Sequence, residues 1–259
     1  MSGNEVHPDL RRIAVVTPRQ LVGPRTLPVM RALIVVAGLR MSRTPPDIEV
    51  LTLESGVGVR LYRPAGSNEP APALLWIHAG GYVMGTAQQD DRLCLRFSSR
   101  LGITVASVDY RLAPENPYPA ALGDCYSALT WLASLPAVDP ARVAIGNPHY
   151  RLWNGRANRF GWRAYLGDAD ARVAVPGRRD DLGGLAPAWI GVGTHDLLHD
   201  EDLAYAERLT AAGVPCQVEV VEGAFHGFDR VAPNVGVSQR FFTSQCNSLR
   251  AALALSNRT

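Results

Sequence analysis

The sequence predicts an α/β fold with a mostly parallel sheet flanked by helices. Three observations carry that expectation. Apolar runs of strand length, such as Ala73 to Ile77 and Ile103 to Val108, are continuous rather than alternating, as in strands buried on both faces. Stretches with apolar residues at helical spacing lie between them. The length of 259 residues, 47% of them hydrophobic, accommodates one large domain with its own core and excludes a disordered chain.

The first forty-odd residues set Pro8, Pro18, Pro24 and Pro28 between short apolar helical patches and close with Thr44-Pro45-Pro46. They read as an appended, cap-like segment, residues 1–47. Residues 48–259 then form the main domain. Glu49 to Leu53 and Val57 to Tyr62 alternate around Ser55-Gly56, which predicts a hairpin. The apolar run ending in Ile77-His78 leads into a glycine loop. A helix is expected from Asp90 to Leu101, then the second buried strand.

Ala120 to Leu135 carries Leu122, Cys125, Leu129 and Leu132 at helical spacing, and Arg142 to Gly146 is a short strand. Asn147 to Leu185 is rich in Gly, Arg and Asp and has almost no strand signal. Ala188 to Val192 is a strand, Asp202 to Ala212 a helix, Gln217 to Val221 a strand, and Val237 to Leu255 a closing helix.

Composition excludes several classes. The 26 basic residues, all Arg, nearly balance 24 acidic ones, so nothing marks a nucleic-acid binder. Cys94, Cys125, Cys216 and Cys246 show no CxxC spacing, which argues against a disulfide framework or zinc site and suits a reducing cytoplasm. The N-terminus lacks the order of a signal peptide. The longest apolar run, Ala32 to Leu39, is far short of the ~20 residues a membrane span requires.

Four segments carry chemistry. His78-Ala79-Gly80-Gly81-Tyr82 closes a buried strand, and glycines there let backbone N–H groups face a developing oxyanion. Asp109-Tyr110-Arg111-Leu112-Ala113-Pro114-Glu115 follows the next strand. Gly193 to Glu201 turns from strand to helix through Asp196. Gly223-Ala224-Phe225-His226-Gly227-Phe228 follows the last strand. Asp196 and His226 stand in the order acid then base, 30 residues apart, as in the second and third members of a hydrolase triad.

On these residues the chain resembles the α/β-hydrolase fold, specifically the hormone-sensitive-lipase-like esterases, from about Ile48 to Gly146 and from about Leu152 onward. The resemblance implies that Gly80 and Gly81 form the oxyanion hole, with Ala79 replacing the first glycine of the family's His-Gly-Gly-Gly loop. It implies that Asp196 is the triad acid and His226 the base, and that the partner is a small-molecule ester or an acyl ligand, with no cofactor. The apolar patch from Val29 to Leu39 would line an acyl pocket or pack as core.

The departure lies after Gly146. The family places its serine there in a Gly-x-Ser-x-Gly elbow, whereas this chain reads Asn147-Pro148-His149-Tyr150-Arg151 and has no serine between Ser134 and Ser238. Gly146 and Asp196 are 50 residues apart. An elbow, its helix and two further strands, at ~12 residues per helix, ~6 per strand and ~4–6 per connection, do not fit beside what Leu152 to Gly193 already resembles. The elbow, its helix and a central strand are therefore expected to be missing near 146–152, leaving strand edges unpaired or forcing a new pairing. Cys125 lies on a helix's apolar stripe, Ser107 inside a buried strand, and His149 lacks a partner, so none of the three is expected to replace the serine. His195 and His199, at i and i+4, have zinc-like spacing, but Asp196 as triad acid and Asp200-Glu201 at a helix N-terminus explain the same residues without metal. Three readings stay open: an impaired ester hydrolase, an inactive remnant that binds acyl ligands, and a metal-dependent hydrolase.

Overall fold

Strands and helices alternate along most of the chain in the computed structural model, which describes residues 6–17, 22–40, 48–64, 70–146 and 153–255. Two helices come first, α1 (Arg11–Val16) and α2 (Leu27–Arg40). β1 (Ile48–Thr52), β2 (Gly58–Tyr62), β3 (Ala71–Ile77), α3 (Asp91–Leu101), β4 (Thr104–Asp109), α4 (Ala120–Ser134) and β5 (Val138–Gly146) follow. The remainder is α5 (Gly155–Leu166), α6 (Ala171–Ala174), β6 (Ala188–Gly193), α7 (His199–Ala211), β7 (Cys216–Val221), α8 (Phe228–Val231) and α9 (Gly236–Ala252).

By contact the chain divides into two units. One comprises Pro24–Pro148, Gly161–Gly167 and Leu249–Thr259. Its sheet has the order β1-β2-β4-β3-β5. β1 and β2 form the expected antiparallel hairpin, β2 pairs antiparallel with β4, and β3 pairs parallel with both β4 and β5. The inner strands β3 and β4 are buried over nearly their whole length, as their unbroken apolar runs require. α3 packs on β4 and β2, and α4 on β3, β4 and β5. Gly102, at φ 68°, ends α3 in the left-handed conformation that glycine adopts without a Cβ penalty.

The helix α4 buries a face turned partly from the expected one, which keeps Leu132 inside and Cys125 and Leu129 half-buried. Ala121, Asp124, Ala128 and Leu132 turn inward, while Leu122 is 54% exposed. Asp124 draws the helix round, because its carboxylate accepts the backbone N–H of Arg111 at 2.8 Å and pairs with the Arg111 guanidinium. A buried carboxylate so satisfied competes on equal terms with an apolar side chain.

The other unit comprises Met1–Gly23, His149–Phe160 and Asp168–Ser248. Residues up to Gly23 thus group apart from Pro24 onward. β6 and β7 pair in parallel, with α7 packed on both. Leu10, fully buried, joins Phe225, Phe228, Val237 and Phe241 in one cluster. Asp9 accepts the N–H of Val237 at 2.9 Å and so caps the start of α9.

Among the described residues, β5 pairs only with β3, and β6 only with β7. The Arg142 and Ala188 strands therefore do not pair with each other. Residues 147–152, where the missing elbow was expected and where His149 lies, are outside the described residues, as is the stretch 41–47.

Candidate active site

Asp196 and His226 meet at the ends of neighbouring parallel strands. Gly193 ends β6, and a Cβ there would overlap the carbonyl oxygen of Ala224, so only glycine lets the loop before His226 approach this closely. Two backbone bonds sew the two loops together, Thr194 N–H to Val221 O at 3.1 Å and His195 N–H to Ala224 O at 2.9 Å, while Asp196 N–H closes its own turn on Gly193 O at 3.0 Å. Gly227, at φ 69°, turns the chain immediately after the histidine. From the N-terminal piece, His7 N–H donates to Gly223 O at 2.9 Å and steadies the same loop.

The result is a close pair. His226 Nδ1 lies 2.7 Å from Asp196 Oδ2 and 2.9 Å from Oδ1, and both side chains are buried. Oδ1 also accepts the N–H of Leu198 at 2.9 Å, which fixes the carboxylate plane. Since the carboxylate only accepts, Nδ1 carries the proton, and the basic nitrogen of His226 is Nε2.

Asp202, one turn into α7, is a residue the sequence reading passed over. One of its carboxylate oxygens is buried without a hydrogen-bond partner among the described residues. Burial, reinforced by the negative charge of Asp196, pushes its carboxyl up to about 7. His199 Nδ1 pairs with Asp200 at 2.7 Å, and His195 Nδ1 is buried without a partner. No group of three His, Cys, Asp or Glu among the described residues is placed to hold a metal ion.

The glycine loop is built within the other unit. Gly80 has φ 141° and Gly81 φ 58°. A Cβ on Gly80 would coincide with the carbonyl oxygen of Met84, which makes glycine obligatory. The Gly80 carbonyl accepts the N–H groups of Val83 and Met84, each at 3.2 Å. Neither the Gly80 nor the Gly81 N–H finds an acceptor among the described residues.

His78 is a prop for that loop. It is 1% exposed, stacks on Tyr110 at 4.2 Å, and donates from Nδ1 to Ala79 O at 3.0 Å. Burial pushes its pKa down, so the ring is held neutral. Tyr110 donates its hydroxyl to His78 O at 2.9 Å, and Ala113 N–H bonds to Tyr82 O at 2.9 Å. The Asp109–Glu115 motif is thus the buttress of the glycine loop.

Arg31 of α2 completes the buttress and also escaped the sequence reading. It donates to Val83 O and Ala113 O, both at 2.7 Å, and forks onto Glu115 at 2.7 and 3.0 Å. Its partners lie 52 to 84 residues away, so no local signal marks it.

The other nucleophile candidates behave as expected of structural residues. Burial and the neighbouring Asp124 push the Cys125 thiol up to about 12, away from thiolate chemistry. Ser107 is fully buried within β4.

A buried aspartate–histidine pair thus follows β6 and β7 in one unit, and a glycine loop follows β3 in the other. The chain belongs to the α/β-hydrolase family, among the hormone-sensitive-lipase-like esterases: the model of the alpha/beta hydrolase fold matches residues 74–147 and 146–230, in two pieces that meet at the end of β5. It is similar to the esterase LipI of Mycobacterium tuberculosis, 30% identical over 242 residues, covering 71% of this chain and 76% of LipI. It is also similar to an ethyl acetate hydrolase of Pseudomonas putida, 32% identical over 229 residues, covering 67% of this chain and 71% of that enzyme. Among solved structures, the esterase LipW of Mycobacterium marinum superposes with a TM-score of 0.86 at 31% identity, covering 97% of each chain.

Proposed function

We propose that this chain is a carboxylesterase-type hydrolase whose acid, base and oxyanion loop persist while its nucleophilic serine is gone. The carrying observation is the 2.7 Å contact between His226 Nδ1 and Asp196 Oδ2, which gives His226 the tautomer of a general base. Gly80 and Gly81 take the oxyanion role, on the strength of their open N–H groups. Loss of the serine is supported by the residues after Gly146, Asn147 to Arg151, and by the absence of any serine between Ser134 and Ser238. Two comparisons agree with it. The family match breaks at 146–147, and the LipI alignment runs over 242 residues yet takes in only 71% of this 259-residue chain, so part of it faces residues lacking here.

In this reading, Asp196 orients His226 and stabilises the imidazolium, and His226 accepts a proton through Nε2. Without a serine to acylate, the base can act only on water. Removal of a catalytic serine costs on the order of 10⁶ in kcat, so turnover is expected to be residual. Small esters are the substrate class. Acyl-ligand binding without turnover is the second reading, favoured by the same missing serine. Four thiols outside any disulfide are consistent with a reducing, cytoplasmic setting.

Fluorophosphonate labelling, read by intact mass and peptide mapping on the parent and on His226→Ala, tests the proposal. No adduct on folded protein, with a trace of ester hydrolysis lost in His226→Ala, is the expected result. A single adduct that vanishes in His226→Ala would locate a surrogate nucleophile and overturn it. Folded protein that binds esters with no hydrolysis at all would favour the second reading.

A further inference from the structure

Tyr82 holds a backbone conformation that its residue type disfavours. Its φ is 62°, in the left-handed region, directly after Gly80 at 141° and Gly81 at 58°. The two glycines take such angles freely, whereas a bulky side chain there is an outlier. Strain of this kind persists only where the surroundings over-determine it. Here the surroundings are aromatic. The Tyr82 ring stacks on Tyr165 of α5 with centroids 4.0 Å apart and planes at 20°, and it meets Tyr110 at 6.1 Å and Trp162 at 6.3 Å. Tyr165, 4% exposed, meets Tyr118 and Trp162 edge to face at 5.8 and 5.9 Å, and its carbonyl accepts the Tyr118 N–H at 2.6 Å. These residues belong to the same unit as the glycine loop.

We propose that Tyr165 is a positioning residue for the glycine loop, acting through the ring of Tyr82. β3 and the buried His78 anchor the loop on its N-terminal side. The stack anchors the Cα–Cβ bond of Tyr82, an aromatic contact of fixed geometry. The φ of Tyr82 is the torsion between those two anchors. Relaxing it would swing Gly80 and Gly81 as a body, so the stack sets where their open N–H groups point. The chemical consequence rests on the reading of Gly80 and Gly81 as oxyanion donors. The clamp itself needs no serine.

Amide exchange followed by NMR on the full chain tests this. The N–H groups of Val83, Met84 and Ala113 bond to the Gly80 and Tyr82 carbonyls and report loop opening, while those of β3 and β4 report unfolding of the sheet. In Tyr165→Ala the loop amides are expected to exchange at least about tenfold faster with β3 and β4 unchanged. Tyr165→Phe keeps the ring and should match the parent. In a Tyr82→Gly background, Tyr165→Ala should add nothing, because its route to the loop is gone. Loop exchange unchanged in Tyr165→Ala, Tyr165→Phe as damaging as Tyr165→Ala, or a further gain on top of Tyr82→Gly would overturn the proposal. So would faster exchange throughout β3 and β4, or a Tyr165→Ala chain that does not fold, either of which would make Tyr165 an ordinary core residue. Acetate, added as an oxyanion probe, is expected to shift the Gly80 and Gly81 N–H resonances of the parent, and less so those of Tyr165→Ala. An equal shift in both would overturn the proposal; no shift in the parent would overturn the oxyanion reading instead, and the exchange result would still decide the clamp.

Discussion

Asp202 illustrates how much one carboxyl can matter to the pair beside it. Its folded pKa of about 7 lies well above the unfolded value of about 4. Between those values the folded chain holds a proton that the unfolded chain releases, so stability falls as pH rises through the window and the loss is complete above it. Asp202→Asn cannot ionise and removes that slope. The variant is expected to out-melt the parent at about pH 8, with the margin shrinking toward about pH 5. Thermal melts of both proteins at the two pH values check this, and an equal margin at both would refute it.

At the scale of elements, one ion pair joins α3 to β2. Arg60 makes two bonds to Asp91, both 2.7 Å, and the Tyr62 hydroxyl donates to the same carboxylate at 2.7 Å. Desolvation offsets much of the attraction in such a pair, whereas removing one partner strands a buried charge. Asp91→Ala is therefore expected to cost about 3–5 kcal/mol in urea unfolding. Replacing both residues, as Arg60→Met/Asp91→Leu, should recover most of that loss. A double variant no more stable than Asp91→Ala would show that the guanidinium is not the cause.

At the scale of the whole molecule, the proposed loss of the elbow and a central strand bears on stability. β5 and β6 each end a sheet among the described residues, and Ile145 of β5 is 56% exposed. Unpaired strand edges and exposed branched side chains lower solubility and stability. A broad melt with a midpoint below ~60 °C is expected by calorimetry. A sharp two-state transition above that temperature would contradict the reading.

Local chemistry by itself determined the strands, most helices and the candidate site. Unbroken apolar runs mark β3 and β4 because both their faces are buried, and Ser55-Gly56 marks the hairpin because its turn puts Gly56 at φ 81°, where glycine is favoured. The order of Asp196 and His226 and the glycines at 80 and 81 are readable because each is bound to a strand end. Only the tertiary structure decided which face α4 buries, since Asp124 points inward for the sake of Arg111. It likewise decided that Val29, Leu33, Val35 and Val36 are exposed while Met30 and Ile34 are half-buried, that Arg31 clamps the glycine loop, and that Asp202 shares the burial of Asp196. Each depends on a partner or a burial that neighbours along the chain do not reveal. Spacing reports periodicity, but a charge turns inward only where the fold supplies a counter-charge or a hydrogen bond.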